Sequence, residues 1–208
     1  MRELQKEAYG PGGDATLHLQ RTQLETGLAS LKRAPTEVGS LLLIVRRRSD
    51  GHRETPGSVF LSEESGVAGD GWSRRPPRDP NAQLAVMRGD IATLIANGQP
   101  LTVFGDNLFV DLDLSAQNSP TGTTLTVGGA MVVVSPKPHN GCAKFKARFG
   151  ADALQFVQDA PTRPENRRGI YWQVVRVGTV RIGDSVVVVS RADEADRSGP
   201  LQEGTADA

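Results

Sequence analysis

The chain predicts a mainly β fold: a barrel-like domain with a few short helices and flexible termini. Three observations carry that reading. Apolar, β-branched runs of strand length recur between residues 39 and 190. Glycine-containing turns separate them, most clearly Gly128-Gly129. The runs are joined closely, and several strands linked by short turns favour a closed or nearly closed barrel, because closure removes edges that would otherwise pair with other chains.

The elements follow in chain order. Residues 16–33, "TLHLQRTQLETGLASLKR", place Leu17, Leu24, Leu28 and Leu31 on a helix-like apolar stripe that ends before Pro35. "GSLLLIVRR" at 39–47 reads as a strand, and "RSDG" after it as its exit. "NAQLAVMRGDIATLIANG", 81–98, sets Leu84, Met87, Ile91, Leu94 and Ile95 at helical spacing and predicts a helix, weakened at Gly89. "TTLTVGGAMVVVS", 123–135, predicts a β-hairpin, because the glycine pair tolerates the positive φ of a tight turn. "ADALQFVQDA", 151–160, predicts a short helix ending before Pro161. "IYWQVVRV" and "TVRIGDSVVVVS", 170–177 and 179–190, predict a second hairpin joined around Gly178, with a turn or bulge at Gly183-Asp184.

Length and composition bound the rest. With 208 residues, 38% of them hydrophobic, the chain suits one packed domain. That domain is placed at 38–190, after a partly helical N-terminal extension at 1–37 and before a charged tail at 191–208. Twenty-four basic residues balance twenty-four acidic ones, so no global field points to nucleic acid or to a membrane surface. The longest aliphatic runs, "LLLIV" and "MVVV", fall far below the roughly 20 residues of a membrane span. The first residues have no apolar signal core, and a single cysteine forms no intrachain disulfide; both suit a cytoplasmic setting.

That cysteine lies in "PHNGCAKFKARFG", 138–150. If residues 142–148 are extended, Cys142 shares a face with Lys144, Lys146 and Arg148, and neighbouring cations favour the reactive thiolate. If they are helical, Cys142 falls on one stripe with Phe145 and Phe149 and reads as a core residue. The residues leave both open. A thiolate is also a soft metal ligand, and a cofactor-borne metal needs only one or two ligands from the protein. The Arg- and Pro-rich "WSRRPPRDPN", 72–81, is either a local anion-binding loop or a solvated linker, the linker being the simpler reading. The chain has no GxGxxG after a strand, GxxxxGK[ST], HExxH, GxSxG or paired CxxC.

Five ordered blocks change the balance: "GVAGDGW" (66–72), "FGDNLFVDLDLS" (104–115), "PTGTTLTVGGAMVVVS" (120–135), "HNGCAKFKARFG" (139–150) and "NRRGIYWQVVRVGTVRIGDSVVV" (166–188). Together they resemble the MOSC family, named for the C-terminal domain of molybdenum cofactor sulfurases, over about residues 38–190. The resemblance implies a β-barrel in which Cys142 carries sulfur or ligates molybdenum. It implies that Lys144, Lys146, Arg148 and Arg168 hold anionic groups of molybdenum cofactor, with Asp106, Asn107 and His139 close by. Asp106 stands where relatives commonly carry Glu, so its reach is shorter. Gly69 and Asp70 match a Gly-Asp pair near the domain entry and equally suit a turn. The activities implied are a reductase component for N-hydroxylated substrates, served by an electron-donor protein, or a sulfur carrier fed by a cysteine desulfurase; a relative that kept the barrel and lost the chemistry is the third reading.

Overall fold

The structure, a computed structural model, describes residues 10–192. The tail expected to be flexible lies almost wholly outside the described residues, as do residues 1–9. Helix α1 (Arg21–Ser30) precedes strands β1 (Val38–Ile44), β2 (Arg46–Arg47), β3 (Arg53–Glu54), β4 (Ser58–Ser62), β5 (Gly66–Val67) and β6 (Leu84–Arg88). Helix α2 (Gly89–Ala96) leads to β7 (Leu108–Asp111), β8 (Thr124–Val127) and β9 (Ala130–Val134). Helix α3 (Ala143–Gln158), broken at Gly150, then precedes β10 (Ile170–Arg176), β11 (Gly178–Arg181) and β12 (Ser185–Ser190).

Seven strands close a barrel in the order β1-β12-β8-β9-β10-β6-β7. Neighbours are antiparallel except β6 and β7, which run parallel and complete the circle through β7 and β1. The hairpin at 123–135 forms as expected, with Val127 opposite Ala130 and Gly128 at φ 50°. Two small sheets, β11-β4-β5 and β2-β3, sit outside the barrel.

Three expectations are corrected. Residues 84–88 are strand, and the helix starts only at Gly89. Leu84 and Val86 face the barrel interior while Met87 packs into the helical layer outside, so this strand is apolar on both faces and lacks the alternation that marks a half-exposed one. Gly89 is therefore a junction, not a weak point in mid-helix. The predicted hairpin around Gly178 does not exist: β10 pairs with β9 and β6, whereas β11 leaves to pair with β4. The chain crosses Gly129 at Gly178 so closely that any Cβ there would overlap backbone, which turns it out of the barrel. Finally, the helix placed at 151–160 is the second part of a longer element that begins at Ala143.

Two cores result. Inside the barrel, Leu41, Leu84, Val86, Leu108, Leu125, Val132 and Trp172 form a mostly aliphatic filling. Between the barrel wall and the helices, Leu24, Met87, Ile91 and Ile95 pack with Phe104, Phe109, Phe145, Phe149 and Phe156. Leu24, from the N-terminal extension, is fully buried there, so α1 belongs to the packed body. No helix among the described residues is long and apolar enough to cross a membrane.

Candidate functional site

The helical layer meets the barrel beside a cavity of about 340 Å³, lined in part by Ala85, Asn107 and the start of α3. Pro138 and Gly141 keep the approach to that helix irregular, and Cys142 becomes its N-cap, with extended backbone at φ −131° and ψ 179°. Its carbonyl accepts from the Lys146 N–H at 3.0 Å, while its side chain is exposed and lines the cavity. The segment is thus helical, yet the cysteine is not a core residue: it stands just ahead of the turn whose stripe buries Phe145 and Phe149.

Helical geometry also sorts the three cations. Lys144 and Arg148, four residues apart, share one face and line the cavity. Lys146 falls off that face and lies beside Ala151, Leu154 and Gln155, outside the cavity lining. Burial lowers the affinity of both Lys144 and Arg148 for their protons; for both, the nearby Cys142 works the other way.

Arg168 enters from the turn before β10. Its Nη1 donates to both oxygens of Asp106, at 2.8 and 2.9 Å, and its guanidinium lies 5.1 Å from the Phe145 ring centroid. Asp106 is fully buried behind Arg168 and outside the cavity lining; burial opposes its charge, but Arg168 together with His139 and Arg47 holds its carboxyl below the usual range. Asn107 does line the cavity, but its amide is engaged with backbone, accepting from the Ala85 N–H at 3.2 Å and donating to the Val45 carbonyl at 3.4 Å. It closes the gap between β1 and β6. His139 lines the cavity with its side chain 5% exposed and its ring 4.3 Å from that of Tyr171. Burial, with Arg168 and Arg47 nearby, pushes His139 down to about 3, so it is neutral at ordinary pH.

Gly69 forms a turn at φ 77° and delivers Asp70 into the interior. There Asp70 accepts from the backbone N–H of Arg47 and Trp72 and from the Arg47 guanidinium at 2.5 Å. Burial raises its pKa, but Arg47 more than reverses this, leaving it at about 2.

Sequence reasoning missed Arg47, Arg53 and Tyr171 and undervalued the loop that supplies Arg75; all four line the cavity. A signal was present in "RRRSDGHR", a cluster of arginines at a strand exit. Only the short pairing of β2 with β3, Arg47 opposite Arg53, turns that run toward Cys142. Arg53 is pushed down to about 10 by burial and by Arg47 and Arg148, so it stays charged at neutral pH at the cost of like-charge repulsion. The cavity therefore collects Arg47, Arg53, Arg75, Lys144, Arg148 and Arg168, with Asp70 behind Arg47 and Asp106 behind Arg168. Nε and Nη1 of Arg53, Nε of Arg168 and Nδ1 of His139 are buried without a hydrogen-bond partner among the described residues. The arrangement suits an anion rich in acceptor atoms, with a thiol at its rim.

Comparison with known proteins settles the lineage. The family model for the MOSC domain matches residues 78–187, more than half of the chain. The chain belongs to the MOSC domain family. Among solved structures it is similar to YiiM from Escherichia coli, 22% identical with a TM-score of 0.52, over 74% of this chain and 71% of that one. A crystal structure described as a hypothetical protein matches at 21% identity and a TM-score of 0.50, covering 74% of this chain and 68% of the other. These likenesses support the MOSC fold alone. No curated protein matches the sequence.

Proposed function

We propose that this MOSC domain binds molybdenum cofactor in the cationic cavity and serves as the cofactor-bearing component of a reductase for N-hydroxylated compounds. The observation that carries the reading is the exposed Cys142 thiol at a cavity lined by six cationic side chains. The donor set fits the group: one soft sulfur ligand, guanidinium and ammonium groups for a phosphate, and orphaned buried N–H donors for further oxygen or nitrogen acceptors. No cluster of three or more His, Cys, Asp and Glu able to hold a metal occurs among the described residues, so a metal here suits a cofactor that brings its own ligands.

Cys142 would supply the thiolate, Arg53, Lys144 and Arg148 would hold the phosphate, and Asp106 would keep Arg168 turned toward the site. When bound, the cofactor supplies a two-electron redox centre able to take up an oxygen atom. Neutral His139 offers the cavity one N–H donor and one acceptor lone pair. Loss of the N–O oxygen as water consumes two electrons and two protons, so an electron-donor protein is required. A free, exposed thiol suits a reducing cytoplasmic setting.

Elemental analysis with cofactor extraction tests the reading. Wild type from a cofactor-replete host is expected to carry roughly equimolar molybdenum, and Cys142→Ala to lose it; wild type without molybdenum would defeat the proposal.

The exposure of the Cys142 sulfur also favours a second reading, a sulfur carrier. Its thiolate would attack the outer sulfur of a cysteine desulfurase persulfide, breaking that S–S bond and releasing the desulfurase thiolate. Intact mass after incubation with the desulfurase and cysteine should show one added sulfur, absent in Cys142→Ser; an unchanged wild-type mass rejects it.

A further inference from the structure

The N-terminal segment ahead of α1 packs directly on two of the cavity's cations. Gly10, at φ 57°, lies against Arg53: a Cβ there would overlap the guanidinium. Gly13 lies against Arg148, and a Cβ there would overlap its backbone. Those two guanidiniums flank Gly105, where an added Cβ would lie 3.7 Å from Nη1 of Arg148 and 3.9 Å from Nη2 of Arg53. The segment thus touches Arg53 at its guanidinium and Arg148 at its backbone.

It is also tied to the break in α3. Gly150, at φ 93°, interrupts the helix two residues after Arg148 and packs against the His18 ring. The Arg148 carbonyl faces His18 Nε2 at 3.1 Å and Gln99 Nε2 at 3.3 Å. A carbonyl only accepts, so Nε2 of His18 is the donor. Gln99 in turn accepts from the Asp14 N–H at 2.8 Å, and Asn97 Nδ2 donates to the Leu17 carbonyl at 3.1 Å. Ties from Asp14, Leu17 and His18 thus fix the segment to the Arg148 carbonyl and to Asn97 and Gln99 at the end of α2.

We propose that residues 10–18 form a strap that holds Arg53 and Arg148 in their anion-binding arrangement, with Gly13 and His18 as positioning residues. The inference rests on the cavity being an anion site, as in the proposed function, but not on molybdenum. Two cations that repel each other hold an anion well only if something keeps them from separating, and the strap meets one on its side chain and the other on its backbone. Closeness of approach explains the glycines. Gly12, with nothing within 4 Å of an added Cβ, supplies an internal control.

Calorimetric titration with inorganic phosphate and pyrophosphate tests the strap on the full chain free of cofactor. Wild type should bind, Gly12→Ala should match it, and Gly13→Ala and His18→Leu should each weaken binding about tenfold or more. His18→Gln, whose amide can donate to the same carbonyl, should recover most of the loss. Leu125→Ala, in the distant barrel interior, should lower Tm without changing phosphate affinity. Wild-type affinity in both Gly13→Ala and His18→Leu, equal weakening by Leu125→Ala, or no binding by wild type overturns the strap; if Gly13→Ala does not fold, the His18 pair decides. Molybdenum content is measured separately. Wild type that carries the metal while strap variants bind phosphate normally rejects the strap alone; strap-dependent phosphate binding without molybdenum rejects the cofactor alone.

Discussion

The barrel interior and the helical layer divide the work of this molecule. The interior is filled by Leu, Val, Ile, Ala and one Trp, mostly from strands whose backbone hydrogen bonds are closed in a ring, and this filling is uncharged. The helical layer is aromatic: Phe104 stacks on Phe149 at 4.2 Å and Phe145 lies 5.0 Å from Phe149. Arginines lie over its rings, Arg168 over Phe145 and Arg167 over Phe156. Flat ring faces and long aliphatic stems let guanidiniums be buried with less penalty than an aliphatic filling would impose. The candidate site therefore sits where the layers join, in a wall assembled from separate segments, with the barrel as its support.

The largest test of this division is Trp172→Ala. It should cost about 3–5 kcal/mol in denaturant unfolding, because a fully buried indole leaves a void in the ring of strands. Phosphate affinity measured where the variant is still folded should be unchanged; a parallel loss of affinity would erase the distinction between support and site.

Acid sharpens the contrast, because the cavity wall titrates and the barrel filling does not. His139 is held down to about 3 in the folded chain, below its ordinary 6.5, so the unfolded chain takes up its proton first as pH falls. Stability is fully present above about 6.5 and declines toward pH 3, by about 1.4 kcal/mol per pH unit from this group. Between pH 6.5 and 4 that approaches about 3 kcal/mol, before Asp70, depressed to about 2, begins to release its own contribution below about 3.8. His139→Gln should flatten unfolding free energy over pH 6.5–4, and an unaltered slope would place the acid lability elsewhere.

The smallest expected effect concerns Cys142→Ser. An exposed N-cap contributes little packing, and Ser is a favoured N-cap residue, so stability should stay within about 0.5 kcal/mol of wild type or rise slightly. A loss of several kcal/mol in thermal or chemical unfolding would return the cysteine to a packing role.

Legibility in the sequence followed the same boundary. Where one strand face is sealed and a turn needs glycine, as across Val127, Gly128, Gly129 and Ala130, the local pattern carried the structure. It failed at Leu84–Arg88, since burial on both faces erases alternation, and at Gly178, where the deciding contact is with Gly129, some fifty residues away in sequence. For the site, the order of the five blocks pointed to the MOSC family and to Cys142, but helix geometry separated Lys146 from Lys144 and Arg148. Arg47, Arg53 and Arg75 come from two two-residue strands and a proline-rich loop, none of which has a period to read.

By itself, the order of residues determined a β-rich chain, a glycine-turned hairpin, and one thiol among basic neighbours. Those properties depend on spacing within a few positions, where backbone sterics and side-chain direction act directly. Only the tertiary structure decided that the thiol stands outside its helix, that Asp70 and Asp106 each retire behind one arginine, and that the N-terminal segment lies on Arg53 and Arg148. Charge in a cavity is a sum over groups brought together by closure of the whole barrel, and no local pattern encodes that sum.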